Sequence, residues 1–200
     1  ATVGHGLGVK PQVIIPKNRS TTGSYHMYHE AIDASAPQNY GIILNSTNAR
    51  TDDHGFHNDT APTSSVFTIG TYNNFDNDYV AYCFAEVESY SKFGSFIGNG
   101  SATDGTFVYT GFRPAFIMFK TTTIISHWTI VDNARSTYNV VDDSLYADTS
   151  AAELTTITDV DFLSNGFKWR GVLANETNVN GQVYIYMAFA ESPFKYANAR

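Results

Sequence analysis

The sequence YVAYCFAE at Tyr79–Glu86 returns as YIYMAFAE at Tyr184–Glu191, about 105 residues further along the chain. Neither copy alternates between apolar and polar residues, which predicts a strand in the middle of a sheet and buried on both faces. One side of each copy carries small residues such as Ala81 and Ala188, which leave room for large groups to pack closely. A repeated core strand predicts a repeated unit.

Other blocks recur in the same order. GVKP at Gly8–Pro11 corresponds to GFRP at Gly111–Pro114, and a short apolar run follows each block. Such runs, separated by turn signals, recur along both halves, and no stretch keeps the helical period of about 3.6 residues. We therefore predict an all-β chain that forms an antiparallel β-sandwich, built from two homologous units of about 100 residues each.

The predicted boundaries follow from the repeat. The first unit spans residues 1–89, a connecting strand and turn spans 90–105, and the second unit spans 106–200. The sequence leaves open whether the two units close separate sandwiches or pack as one fused body. It also leaves open which unit the predicted strand at Tyr90–Phe96 joins.

The composition is that of a neutral, hydrogen-bonding surface. Only 16% of the residues are charged and 14% are aromatic, whereas a typical soluble domain is roughly 25% charged. Such surfaces are common in extracellular adhesive proteins. The net charge of −7 and the lack of a basic run argue against nucleic acid as a partner. The sequence has no apolar run long enough to predict a membrane span. The single cysteine, Cys83, lies in an apolar stretch, which predicts a buried, inert thiol.

The HGFH sequence at His54–His57 is the candidate for a metal site, because Asp52, Asp53 and Asp59 lie near it. Imidazoles and carboxylates that converge in one loop can hold a transition metal. The alternative is an exposed polar loop, which we prefer because the second half has no matching histidine pair. We therefore predict no metal and no cofactor, with His54 and His57 as the residues to inspect.

Paired acids raise the question of glycoside hydrolysis, which needs two carboxylates at a set separation across a cleft. Neighbouring acids such as Asp142 and Asp143 point apart on a strand and do not meet this need. Asp159, Asp161 and Glu153 are the other acids considered. No nucleophile motif and no phosphate loop are present. We predict no catalytic residues and no enzymatic activity.

Aromatic residues beside loops rich in Asn, Asp and Thr indicate a surface that binds sugars, although half or more of these rings can equally belong to the core. The loops in which the two units differ are 45–65, 72–78, 148–158 and 171–180. The candidate ligand-binding residues are Tyr25, Asp53, His54, His57, Tyr72, Tyr138, Tyr146 and Trp169.

Several blocks resemble a repeat found in tail-fibre and tail-tip proteins of tailed bacteriophages. They are KPQVIIPKNRS at Lys10–Ser20, YTGFRPAFIMFK at Tyr109–Lys120, DFLSNGFK at Asp161–Lys168 and the closing stretch Tyr184–Phe194. The resemblance covers residues 3–200 and implies a lectin-like or jelly-roll type of sandwich at the C-terminal end of a longer virion protein.

The resemblance also implies the setting in which the protein acts. We expect a virion tail component, extracellular when it acts, that binds a bacterial cell-surface glycan or protein, with a polysaccharide as the preferred receptor. Other virion tail proteins are expected partners, and fold-level analogy suggests a homotrimer. A purely structural virion module without a ligand is the alternative, and a polysaccharide depolymerase is a third reading.

Overall fold

The computed structural model describes residues 1–73, 75–155 and 159–192, and it divides the chain into two units, Ala1–Glu86 and Val87–Arg200. Every strand pair among the described residues is antiparallel. The helical segments described are 3-10 turns of three residues, Glu30–Ile32, Pro37–Asn39 and Thr71–Asn73. The predicted all-β class is confirmed.

The described residues of the first unit form seven strands. They are β1 (Thr2–Gly4), β2 (Val13–Asn18), β3 (His26–His29), β4 (Tyr40–Ile43), β5 (Thr51–Asp52), β6 (Val66–Thr68) and β7 (Tyr79–Phe84). A five-stranded sheet has the order β5-β4-β3-β2-β7, and β1 pairs with β6 in a separate sheet. Ile14 and Tyr28 of the large sheet share a core with Phe67 of the small one. The unit is therefore a two-layer sandwich.

Eight strands occur in the described part of the second unit. They are β8 (Ser91–Ile97), β9 (Phe107–Tyr109), β10 (Pro114–Thr121), β11 (Thr129–Asp132), β12 (Ser144–Tyr146), β13 (Val160–Leu163), β14 (Gly166–Trp169) and β15 (Val183–Ala190). One sheet has the order β12-β11-β10-β15-β8 and the other β13-β14-β9. Phe119 and Tyr184 of the first sheet share a core with Phe167 and Trp169 of the second.

The large sheets of the two units have corresponding strand orders. The run β4-β3-β2-β7 in the first unit matches β12-β11-β10-β15 in the second. Each sheet then has one further strand, β5 beyond β4 in the first unit and β8 beyond β15 in the second. The order agrees with the repeat read from the sequence, although the duplication itself stays a prediction. The strand predicted at Tyr90–Phe96 is β8, which pairs with β15 and so belongs to the second unit.

The repeated stretch has two different environments. In β15 the prediction of a central strand buried on both faces is confirmed, because Ile185 and Ala188 on its two sides are fully buried. In β7 the prediction is wrong, because this strand ends its sheet and Tyr82 is 54% exposed. The thiol of Cys83 is half-buried, and that burial raises its pKa. Flanking strands, which the eight-residue pattern does not encode, decide between these outcomes.

Some predicted features extend beyond the described residues. These are residues 156–158 of the predicted loop 148–158, Asn74 of the predicted loop 72–78, and residues 193–194 of the closing stretch.

Candidate functional site

A cavity of about 220 Å³ lies at one end of the first unit, where the turn between β2 and β3 meets the segment between β6 and β7. The exposed residues Thr21, Thr22, Gly23 and Phe75 form part of its wall, so it opens to solvent. The full lining is Asn18, Thr21, Thr22, Gly23, Ser24, His26, Tyr72, Asn73, Phe75, Asn77 and Tyr79. The wall thus combines aromatic rings with amide and hydroxyl groups.

Asn18, the last residue of β2, shapes one side of the cavity. Its Oδ1 accepts hydrogen bonds from the backbone N–H groups of Ser20 (2.9 Å) and Thr21 (3.1 Å), which closes the turn after the strand. Its Nδ2 donates to the hydroxyl of Tyr79 at 3.2 Å. One side chain therefore ties the β2–β3 turn to the start of β7.

Two rings of the cavity wall, His26 and Tyr72, form a cluster with Phe56, which is not itself a lining residue. His26 stacks on Tyr72, with centroids 5.1 Å apart and planes inclined by 29°. Phe56 meets both rings edge-on, at 5.1 Å from His26 and 5.4 Å from Tyr72. Such edge-to-face contacts are each worth about 0.5–1.5 kcal/mol beyond the area they bury. The cluster holds the Tyr72 ring in a fixed orientation at the wall.

Asp53 fixes the other end of Tyr72. The Tyr72 hydroxyl donates to Asp53 Oδ2 at 2.5 Å, and the backbone N–H of Gly55 donates to Oδ1 at 2.7 Å. The bond from Tyr72 lowers the pKa of Asp53, and the same bond raises the pKa of Tyr72. A Cβ on Gly55 would lie 2.6 Å from the Tyr72 ring, so this close approach requires glycine.

The polar groups at the back of the cavity are neutral. Burial lowers the pKa of His26, so the imidazole is uncharged at pH 7. Its Nδ1 lies 3.2 Å from Oδ1 of Asn73, which is only 3% exposed. The Nδ2 of Asn73 is buried and has no hydrogen-bond partner among the described residues. A buried amide donor without a partner is costly, and Asn73 is one of the residues that line the cavity.

Residues 1–193 match the model of a family described as a domain of unknown function, DUF7483. The chain belongs to this family. Comparisons with curated proteins and with solved structures gave no match. Within the described part of the DUF7483 chain, no helix is long and apolar enough to cross a membrane.

The structure brings three of the predicted site residues of the DUF7483 chain together. Tyr72 lines the cavity, Asp53 holds its hydroxyl, and His54 places its Nδ1 4.0 Å from Asp53 Oδ1. Tyr25 lies beside the cavity between two lining residues, and the Lys17 ammonium sits 4.3 Å from the centre of its ring. These four predicted residues cluster around one end of the first unit.

Two predicted binding residues lie in the cores instead. Trp169 is 0% exposed, and its ring packs against Phe119 and Phe96 inside the second unit. His57 is also buried, with its ring edge-on to Tyr28 at 5.3 Å. Both residues lie beside polar loop sequences, but their own side chains are buried.

The two remaining candidates belong to the second unit of the DUF7483 chain and do not line the cavity. Tyr138 is 84% exposed. Tyr146 stacks on His127 with centroids 3.9 Å apart, and its hydroxyl donates to Glu176 at 2.7 Å. Burial and this hydrogen bond raise the pKa of Tyr146. Its polar end is therefore already paired within the unit.

His54 and His57 do not form a ligand pair, because the His54 side chain is exposed and the His57 ring is enclosed by the core. No group of three or more His, Cys, Asp or Glu side chains suited to a metal ion occurs among the described residues. The paired acids have structural contacts. Asp142 and Asp143 both accept from the Ser136 hydroxyl, and Asp161 forms an ion pair with Arg170 at 2.5 Å.

Sequence reasoning missed His26, Asn18, Asn73 and Asn77 as parts of the wall. His26 carried no such signal, because a strand pattern does not say what covers the end of a strand. Asn18 did carry a signal, because Asn followed by Arg-Ser-Thr favours a side-chain-closed turn. The loop predicted at 72–78 supplies Tyr72, Asn73, Phe75 and Asn77.

Proposed function

We propose that this DUF7483 chain is a carbohydrate-binding domain of a phage tail fibre or tail tip, and that the cavity of its first unit holds a sugar of a bacterial surface polysaccharide. The observation that carries the proposal is the buried, unpaired Nδ2 of Asn73 at a wall that also presents aromatic rings. The resemblance of the sequence blocks to tail proteins supplies the biological setting.

The chemistry of the wall favours a neutral, hydroxyl-rich ligand. None of the lining residues is Asp, Glu, Lys or Arg, so the cavity offers no counter-charge to a phosphate or an ammonium group. Amides and hydroxyls provide donors and acceptors that fix orientation, while apolar rings provide contact area. Phe75 is 63% exposed and Tyr72 is 39% exposed, which leaves their rings available to the apolar face of a sugar.

The size of the cavity favours a small ligand group. Its volume of about 220 Å³ is below the roughly 300–1,000 Å³ of pockets that enclose drug-sized molecules. A single sugar residue or the end of a polysaccharide chain suits such a volume better than a long buried oligosaccharide. The predicted loop 45–65 contributes indirectly, through Asp53 and Phe56, which hold Tyr72 in place.

The test is an array of bacterial polysaccharides probed with the 200-residue chain, followed by calorimetric titration of the sugar that binds. Phe75→Ala should weaken binding by about tenfold or more, which corresponds to about 1.4 kcal/mol. Tyr138→Ala is the control, because it removes an exposed aromatic ring from the second unit, away from the cavity. No binding to any polysaccharide or to host cells, or equal loss in both variants, would overturn the proposal.

A second candidate is a structural virion module without a ligand of its own. The edge position of β7 favours it, because a sheet edge without a neighbouring strand is a surface on which another chain can assemble. This candidate predicts that the chain binds no polysaccharide on the array, and that virions fail to assemble when the domain is deleted.

A further inference from the structure

The outer edge of β7, in the large sheet of the first unit, carries backbone groups that no described strand pairs with. The Phe84 carbonyl accepts from the N–H of Gln12, and the Asp78 carbonyl accepts from the N–H of Arg19, both at 2.8 Å. Successive residues of a strand direct their backbone groups to opposite edges. The N–H and C=O groups of Tyr79, Ala81 and Cys83 therefore point away from β2, and no described strand pairs with them.

The matching edge in the second unit is occupied. There β8 pairs with β15 along its whole length, from Ser91 opposite Phe189 to Ile97 opposite Val183. The backbone hydrogen bonds from Gly98 to Gln182 (2.9 Å) and from Ala190 to Tyr90 (2.8 Å) continue the ladder at both ends. In the repeated stretch, the positions of Tyr79, Ala81 and Cys83 are taken in β15 by Tyr184, Tyr186 and Ala188.

The side chains of β8 show what such a neighbour contributes. Phe96 stacks on Tyr184 with centroids 4.8 Å apart and planes inclined by 6°. Opposite Tyr186, β8 has Gly94, where a Cβ would come within 2.8 Å of the tyrosine hydroxyl. The strand that pairs with the edge of β15 therefore has an aromatic residue, Phe96, and a very small residue, Gly94, two positions before it.

Nothing in β7 protects its edge. Natural edge strands carry charges, proline or bulges, or are very short, and these features prevent pairing with other chains. The six residues of β7 include no charge and no proline, and their register with β2 is unbroken from Tyr79 to Phe84. At the other end of the same sheet, β5 has only two residues and carries Asp52.

We propose that the edge of β7 accepts an extended antiparallel strand from another polypeptide, by β-augmentation. The partner strand carries an aromatic side chain opposite Tyr79, as Phe96 lies opposite Tyr184 in the second unit. Two residues earlier it carries a bulky aliphatic side chain, because Ala81 leaves open the room that Tyr186 fills. This surface is separate from the proposed sugar chemistry and does not depend on it.

The probe is a fluorescent peptide with the sequence of residues 90–98 and the change Gly94→Leu, added to the 200-residue chain. Saturable binding is expected. Ala81→Pro removes one outward N–H without removing a bond to β2, and it should weaken binding at least tenfold. Ala81→Ser, which keeps that N–H, should bind within threefold of the unchanged chain. No binding, or equal binding by the Ala81→Pro variant, would overturn the proposal.

Hydrogen exchange gives a second readout, which decides the question even if Ala81→Pro fails to fold. In the free chain the amides of Tyr79, Ala81 and Cys83 should exchange fast, while those of Val80 and Tyr82 should be protected by β2. Added peptide should slow hydrogen exchange at the amides of Tyr79, Ala81 and Cys83. Protection of these three amides in the free chain that grows with protein concentration would assign the edge to a second copy and overturn the proposal. The proposal would also be overturned if the peptide binds but these three amides still exchange fast.

Discussion

Acid should destabilise the first unit through His57. The ring is enclosed by the core, against Tyr28 and Phe56, and this burial lowers its pKa from 6.5 to about 4. The folded state therefore keeps His57 neutral at pH values where the unfolded chain binds a proton. Its contribution to stability is complete above pH 6.5 and is lost progressively as the pH falls towards 4. At about 1.4 kcal/mol per pH unit, this range corresponds to about 3 kcal/mol.

The measurement is urea denaturation, followed by circular dichroism, at pH values between 7 and 4. Replacing His57 with Gln should remove about 3 kcal/mol of acid destabilisation relative to the unchanged chain. His26 also has a lowered pKa and acts in the same direction, but it is present in both proteins and cancels in the difference. His54→Gln is the control, because the His54 side chain is exposed. Parallel stability curves for the unchanged chain and His57→Gln would refute the reasoning.

Three further changes test the packing and the electrostatics of the structure. Gly41→Ala would place a Cβ 2.0 Å from the Phe56 ring, so we expect about 1–3 kcal/mol of lost stability and weaker sugar binding; an unchanged melting temperature would contradict this. Ala188→Leu, at a fully buried position of β15, should also cost about 1–3 kcal/mol in denaturant unfolding, and a variant as stable as the parent would show loose packing. Asp53→Asn removes the carboxylate that raises the pKa of Tyr72, so ultraviolet titration should show that phenol ionising at lower pH, and an unshifted phenol would argue against the contact.

The repeated stretch shows how far sequence pattern alone determines structure. The apolar pattern correctly predicted that both copies form strands, because period and residue type are local properties. It did not distinguish the buried β15 from the edge strand β7, because that difference depends on β8, which lies outside the repeated stretch. Strand existence could thus be predicted, while position in the sheet depended on neighbours remote in sequence.

The candidate site was predicted in the same partial way. Tyr72 and Trp169 both stand beside polar loop residues, yet Tyr72 lines a cavity and Trp169 fills a core. Ring exposure depends on how two sheets close over one another, which composition does not specify. Asn73 carries no distinguishing sequence signal. Its importance comes from a buried Nδ2 without a partner, which only the folded arrangement reveals.

The most direct test of sugar binding in the first unit is amide chemical-shift mapping of the 200-residue chain with the polysaccharide fragment selected on the array. The proposal predicts that the shifted amides concentrate at the cavity, in Thr21–His26 and in Asn73 and Asn77. Shifts centred instead on the loops of the second unit around Tyr138, with the cavity amides unmoved, would contradict it.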